Sequence, residues 1–399
     1  MSRAPRHCSN IDVDVDIGIL LFEHLGVDRA MLLELSSDQE FFRETTERFL
    51  REQVPVTELR RLRHDPAGFD PEYWRQGADL GWTSLLVSED HGGGTISGKG
   101  VIDLSLIAYE FGRHAAPGPL AVANVVAATL SETGAHPEVL QELVSGTSIA
   151  SWSSSDSPPL NLAVEGNNLV VSGVTRPVES AADADHLLVT GRTGEGFVQL
   201  LVPTDAPGVS YRPMRTVDLT RRFSVVSFDD VRLPADAVVA DARQTAELLD
   251  RQRQLALATA NAESVGAMQA VFDMAFEWPF DRYSFGRPLA SYQEIKHRFA
   301  DMKSWLEAGH AISDAAAGAV EARSPGAGEL VSVAKAFIGT YGAELVQDCL
   351  QIHGGIGITF DHDLHLFLRR VTVNRALYGT PADHRQRIAT MVAQREDAA

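Results

Sequence analysis

The chain has 399 residues, of which 44% are hydrophobic, and a formal net charge of −19. That length accommodates two or three core-forming units, and the hydrophobic share is ordinary for a globular protein. The charge argues against a nucleic-acid role, because an acidic surface repels a phosphate backbone, and no apolar run reaches the roughly 18 residues needed to span a bilayer. Cys8 and Cys349 lie far apart, form no metal-binding motif and fit a reducing compartment. Arg3 and Arg6 are followed by the acidic stretch 11–16, which is not a signal-peptide core, so the expected location is the cytoplasm.

Residues 1–30 read as an N-terminal extension. Helices are expected over 31–147. Ser37 with Glu40 makes a capping box ahead of Phe42, Phe49 and Leu50. Asp70-Pro71 starts a second helix with an N-cap and a first-turn proline. His91-Gly92-Gly93-Gly94 is a flexible joint. From 148 to 240 the texture becomes that of an antiparallel sheet or barrel. Short apolar runs at 168–171, 186–189, 197–202, 224–228 and 231–234 are bounded by Gly, Asn, Pro and Asp. From 241 to 399 the helical period returns. Val265, Met268, Phe272 and Phe276 share a face, as do Ile295, Phe299, Met302 and Leu306, and then Ile338, Tyr341, Leu345 and Ile352. Their broad apolar faces predict a helical bundle that also buries surface against other subunits. Helices, then strands, then helices is an α+β order. No GxGxxG follows a strand, which disfavours a nicotinamide-binding unit.

Two strings carry chemistry. The first runs Asp281-Arg282-Tyr283-Ser284-Phe285-Gly286-Arg287-Pro288 and on through Gln293 to Met302. Arg282 offers a forked cation suited to pyrophosphate oxygens. Gly286 permits close backbone approach, and Gln293 carries an amide able to bond adenine or ribose. The plain alternative is a surface arginine before a turn and a glutamine on a helix. The second string is Gln351-Ile352-His353-Gly354-Gly355-Ile356-Gly357, which by itself reads as a glycine C-cap. Taken together, they resemble the flavin-binding signatures of acyl-CoA dehydrogenases, and the likeness covers most of 31–399.

That resemblance implies an N-terminal helical domain, a middle β-barrel or sheet domain and a C-terminal four-helix bundle. It also implies FAD as cofactor. Arg282, Phe285 and Gln293 would reach across a subunit interface to the ADP half of a neighbour's FAD. Gln351, Gly354 and Gly355 would lie along its pyrophosphate. The implied reaction is α,β-dehydrogenation of an acyl-CoA thioester. A base takes the α-proton, a hydride passes to the flavin, and an electron-transfer flavoprotein accepts the electrons.

Other positions depart from the pattern. The family's middle domain carries a run of the form Gly-x-Lys-x-Trp-Ile-Thr-Asn, whose tryptophan and threonine meet the flavin ring. The aligned run here is Gly173 to Ser180, with Pro177 for the tryptophan and Glu179 for the threonine. A carboxylate there opposes the negative charge of a reduced flavin. The upstream flavin loop is unrecognisable at 151–156. The usual catalytic glutamate stands in a Tyr-Glu-Gly-Thr string, which here is Leu377-Tyr378-Gly379-Thr380. Tyrosine is a poor base near neutral pH unless its pKa is strongly depressed. The family's alternative base position is Ala256. Glu263, two turns further along the same helix face, is the remaining candidate base, or else an interface or surface glutamate.

The losses are selective, and the pattern resembles one subunit of the heteromeric (α2β2) acyl-CoA dehydrogenases of actinobacteria, many of which act on bulky steroid-derived acyl-CoAs. The favoured expectation is a subunit that completes FAD binding for an unlike partner. The rivals are a complete homo-oligomeric dehydrogenase using Glu263, a non-catalytic assembly subunit, and a flavin monooxygenase on the same scaffold.

Overall fold

The structure is a computed structural model that describes residues 35–398 apart from 64, 66, 67, 155 and 167. The extension expected over 1–30, with Cys8, lies outside the described residues. Helices come first: α1 (Ser37–Gln53), α2 (Val56–Leu62), α3 (Pro71–Asp79), α4 (Gly100–Arg113), α5 (Leu120–Thr133) and α6 (Pro137–Val144). The capping box of α1 sits one residue earlier than expected. Ser36 Oγ accepts from the Gln39 amide, and Gln39 Oε1 accepts from the Ser36 amide, both at 3.2 Å. Ser36 and Ser37 each have a suitable partner three residues on. Burial decides between them, because Gln39 also donates its Nε2 to buried Asp103 Oδ1 at 2.8 Å. Asp70 caps α3 through the Glu72 amide, with Pro71 in the first turn.

Strands follow: β1 (Ala150–Trp152), β2 (Leu160–Glu165), β3 (Asn168–Glu179), β4 (His186–Arg192), β5 (Phe197–Pro203), β6 (Val209–Pro213), β7 (Phe223–Pro234) and β8 (Val238–Ala240). They form one sheet in the order β6-β7-β3-β2-β4-β5-β8, with β1 also on β4. The pairing is antiparallel except along one edge of β4. There β1 (Ala150 opposite His186) and β2 (Leu160 opposite Gly191) lie parallel to it, one after the other. The sheet is therefore mixed rather than purely antiparallel. The two runs at 224–228 and 231–234 are one strand. It bends at Asp230, whose φ is +48° and whose carboxylate accepts from Ser172 Oγ at 2.7 Å. Alternate residues Leu187 and Val189, Leu200 and Val202, Val226 and Phe228 turn inward to a dry core with Leu160, Val171 and Val178.

The chain ends in long helices: α7 (Thr245–Asp281), the hairpin β9 (Tyr283–Ser284) and β10 (Arg287–Pro288), then α8 (Gln293–Glu321), α9 (Ala327–His353), α10 (Leu364–Ala376) and α11 (Pro381–Ala398). The fold is thus the expected α+β arrangement of helices, sheet and helices. Val265, Met268 and Phe272 of α7 are buried, as are Met302, Leu306, Ile338, Leu345 and Ile352. Phe276 is 48% exposed and Phe280 56%, so the apolar face of α7 runs on out of the core. Helices α4 and α7 cross with their backbones touching. A Cβ on Gly112 would lie 1.9 Å from the Glu263 carbonyl oxygen, and one on Gly266 would lie 1.9 Å from that of Tyr109. Among the described residues no helix is long and apolar enough to cross a membrane, and no cluster is suited to a metal ion.

Candidate active site and cofactor arm

Strand β3 ends at Glu179, and the turn from β6 to β7 carries Asp218 and Arg221. Helix α7 brings Glu263, and α10 brings Arg370 and Asn374. All six side chains are buried. Arg221 Nε and Nη2 donate to the two oxygens of Glu179, each at 2.6 Å. Its Nη1 donates to Asn374 Oδ1 at 2.7 Å and to Glu263 Oε2 at 3.2 Å. Arg370 Nη1 donates to Glu263 Oε1 and its Nε to Asp218 Oδ2, both at 2.6 Å. Its Nη2 reaches Thr220 Oγ1 and the carbonyls of Ala115 and Ala116. The result is an alternating chain, Glu179–Arg221–Glu263–Arg370–Asp218, which ties the sheet, the C-terminal helices and the loop after α4.

Glu263, the candidate base, therefore has both oxygens committed. Oε1 receives Arg370, and Oε2 receives Arg221 and the Asn374 amide at 2.9 Å. Three donors from two arginines and an asparagine fix the carboxylate in place, and both oxygens are spent on holding the network together rather than turned to a substrate. Ala256 is fully buried two turns earlier. Burial pushes the Tyr378 hydroxyl well above its ordinary range, with the Glu179 charge adding to the effect. That is the opposite of what a base needs. Burial also raises Glu179 despite Arg221. For Asp218, burial works upward, but Arg370 and the Thr220 amide outweigh it and hold the carboxyl below its usual range. Lys335 of α9, buried and donating to the Asn374 carbonyl, is lowered by burial and by Arg221 to about 7.

The positions where the family resemblance puts the flavin ring converge on one small space. Trp152, Asp156, Pro177, Glu179, Phe223 and Tyr378 line a cavity of about 120 Å³. Pockets that enclose drug-sized ligands measure about 300–1,000 Å³. Trp152 leans over Tyr378, with ring centroids 5.8 Å apart, and its Nε1 is held by Gln252 Oε1 at 3.1 Å. Ser151 Oγ donates to the Glu179 carbonyl, which fixes that strand end. The residues present do not fit a flavin ring.

The arm is different. Phe285 and Gly286, at φ +48° and +81°, make the two-residue tip of the β9–β10 hairpin, and Phe285 is 98% exposed. Arg282 is exposed, and among the described residues it has no carboxylate within ion-pair distance. Gln293 is exposed and shares a hydrogen bond with His297 at 2.9 Å. Gln351, Gly354 and Gly355 are exposed, with open space where a Cβ would stand at both glycines. Trp278, one turn before Arg282, stacks on His353, the residue before Gly354, at 5.1 Å. That contact puts the two strings side by side.

Arg221, Arg370, Asp218, Asn374 and Lys335 were not picked out from the sequence. The only trace of them there is a pair of adjacent arginines at 221–222 and another at 369–370, and such pairs are ordinarily solvated.

A helical–sheet–helical fold with a glycine turn and an arginine hairpin side by side defines the acyl-CoA dehydrogenase type. The model of the acyl-CoA dehydrogenase N-terminal domain matches residues 36–146, and that of the C-terminal domain matches residues 243–393. The chain belongs to the acyl-CoA dehydrogenase family, flavin-dependent oxidoreductases acting on a CH–CH bond of acyl-CoA, and is a subunit of such an enzyme. It is 26% identical over 360 residues to acyl-CoA dehydrogenase IpdE2 of Mycolicibacterium smegmatis, an alignment that spans 90% of this chain and all of that one. Among solved structures, a variant of the Tcur3481-Tcur3483 steroid ACAD superposes with a TM-score of 0.81 at 24% identity, covering 90% of this chain and 99% of the other. The ChsE4-ChsE5 complex from Mycobacterium tuberculosis does so at 0.81 and 22%, covering 90% and 98%.

Proposed function

We propose that this chain is the FAD-completing subunit of a heteromeric acyl-CoA dehydrogenase. Its hairpin and glycine turn cover the ADP half of an FAD whose ring is held by an unlike partner chain. The observation that carries this reading is the arm itself. Phe285 stands almost wholly in solvent, beside an arginine and a glycine turn that no other part of the described chain covers. An exposed aromatic on a hairpin tip, next to a forked cation, suits a flat adenine joined to a pyrophosphate. The bound flavin supplies the hydride acceptor. This chain contributes binding and assembly surface, and the catalytic base comes from the partner. The complexes named among the structural relatives support a two-chain assembly and a bulky, steroid-type acyl group. Cytoplasmic location and an electron-transfer flavoprotein as acceptor complete the proposal.

Two variants of the assembled complex test it. Arg282→Ala is expected to weaken FAD retention by about tenfold or more, the loss that goes with about 1.4 kcal/mol or more of charge-assisted bonding. Unchanged retention on a desalting column, with unchanged activity, would remove the arm from the flavin site. Glu263→Gln keeps size and removes the base. Activity per bound flavin is expected to stay within a few-fold of the parent. A fall of about a hundredfold, the scale of a lost general base, in a variant complex that unfolds at the parent's temperature, would make this chain catalytic and Glu263 its base.

A further inference from the structure

We infer that the Glu179–Arg221 pair keeps the flavin ring out of this chain, so that the flavin of the assembly settles in the partner. This deepens the proposed function and rests on its reading of where the ring positions lie.

Three observations converge. The pair occupies the strand end that should meet the ring. Glu179 forms one wall of the 120 Å³ cavity, and Arg221 grips both its oxygens from behind at 2.6 Å. The pair is anchored, since Arg221 is also held by Asn374 and Glu263, and Glu263 in turn by Arg370. A ring that enters must therefore move a side chain fixed from three elements, not a free rotamer. The pair also puts the wrong hydrogen-bonding group at that place. A flavin accepting a hydride gains negative charge and calls for a donor, whereas buried Glu179 offers only acceptor oxygens, both already taken by Arg221. Threonine at this position would offer a hydroxyl donor instead. The sheet and the C-terminal helices are already joined through these ion pairs, so the chain needs no cofactor to hold them in register.

The experiment uses the full chain without a partner and lumiflavin, which has the ring but no ADP half. The parent is expected to leave lumiflavin fluorescence unquenched and to unfold at the same temperature with or without it. Saturable quenching by the parent would overturn the inference. The double variant Glu179→Thr with Arg221→Met removes both charges together, so that neither is left unpaired. It is expected to quench lumiflavin with at least tenfold higher affinity than the parent. A folded double variant that still excludes the ring would overturn the assignment to this pair and leave exclusion to Trp152 and Tyr378. Should the double variant not fold, flavin counting in the parent complex decides. One flavin per two unlike chains is expected, and one per chain would contradict the inference. Because lumiflavin lacks the ADP half, the assay with the isolated chain is independent of whether the Arg282 arm serves the partner.

Discussion

Arg370→Met is expected to cost about 3–5 kcal/mol of stability, the range for breaking a buried ion pair by removing one partner. Arg370 is wholly buried and bonds Asp218, Glu263, Thr220 and two backbone carbonyls. Methionine keeps most of the apolar stem but leaves two carboxylates buried without their shared cation. The carboxyl of Asp218 is held below its usual range in the folded chain. Its contribution is therefore present above the unfolded value of 3.8 and is lost as pH falls through the lower folded value. The gap between parent and variant should accordingly be widest near neutrality and narrow in acid. Denaturant unfolding at several pH values measures this. A loss below about 1 kcal/mol at neutral pH, the scale of an exposed pair, would mean that water reaches the network.

Lys335→Met is expected to act in the other direction. Lys335 falls from 10.5 to about 7 because burial disfavours its charge and Arg221 repels it. Between those two values the unfolded chain binds more protons than the folded one, so unfolding free energy rises with pH across that window. Below about 7 both states are protonated and the full cost of burying the ammonium is present. At 1.36 kcal/mol per unit, the parent should gain on the order of 2–4 kcal/mol between pH 7 and pH 10, relative to a variant with no such rise. The variant should also be the more stable of the two at pH 7, less about 1 kcal/mol for the lost bond to the Asn374 carbonyl. A variant less stable than the parent at neutral pH would show that the amine is charged and solvated.

The order of elements was legible because it rests on local signals. Helical faces such as Val265, Met268 and Phe272 repeat every three to four residues, and Asp70-Pro71 is a start signal that needs nothing distant. The parallel seats of β1 and β2 on β4 were not legible, because register between distant strands leaves no periodic mark. The cap at Ser36 rather than Ser37 depended on Asp103, some sixty residues away. The strings around Arg282 and Gly354 stood out because their residue types and spacing resemble the family's flavin-binding signatures. The substitutions at Pro177, Glu179 and Tyr378 marked the same small space from the sequence. What the sequence could not tell was that Glu179 has a partner. Arg221 and Glu263 lie 42 residues from each other, and Arg370 lies 107 from Glu263. An arginine whose counter-charge is that distant looks like any solvated arginine until the chain is folded.

The crossing at Gly112 and Gly266 bears on how the chain is made. Helix α4 emerges from the ribosome with the face that will meet α7 bare, and its partner is encoded about 150 residues later. At about 5–20 residues per second, roughly 8–30 s pass before α7 exists to receive it. During that interval Val101, Leu104, Ile107, Ala108 and Phe111, all buried in the finished protein, have no complete core. The contact is also of high sequence separation, which places its formation late and makes folding slow. A cell producing this chain must shelter the nascent helices for that time, and a host short of chaperone capacity should return it as insoluble material unless synthesis is slowed or cooled.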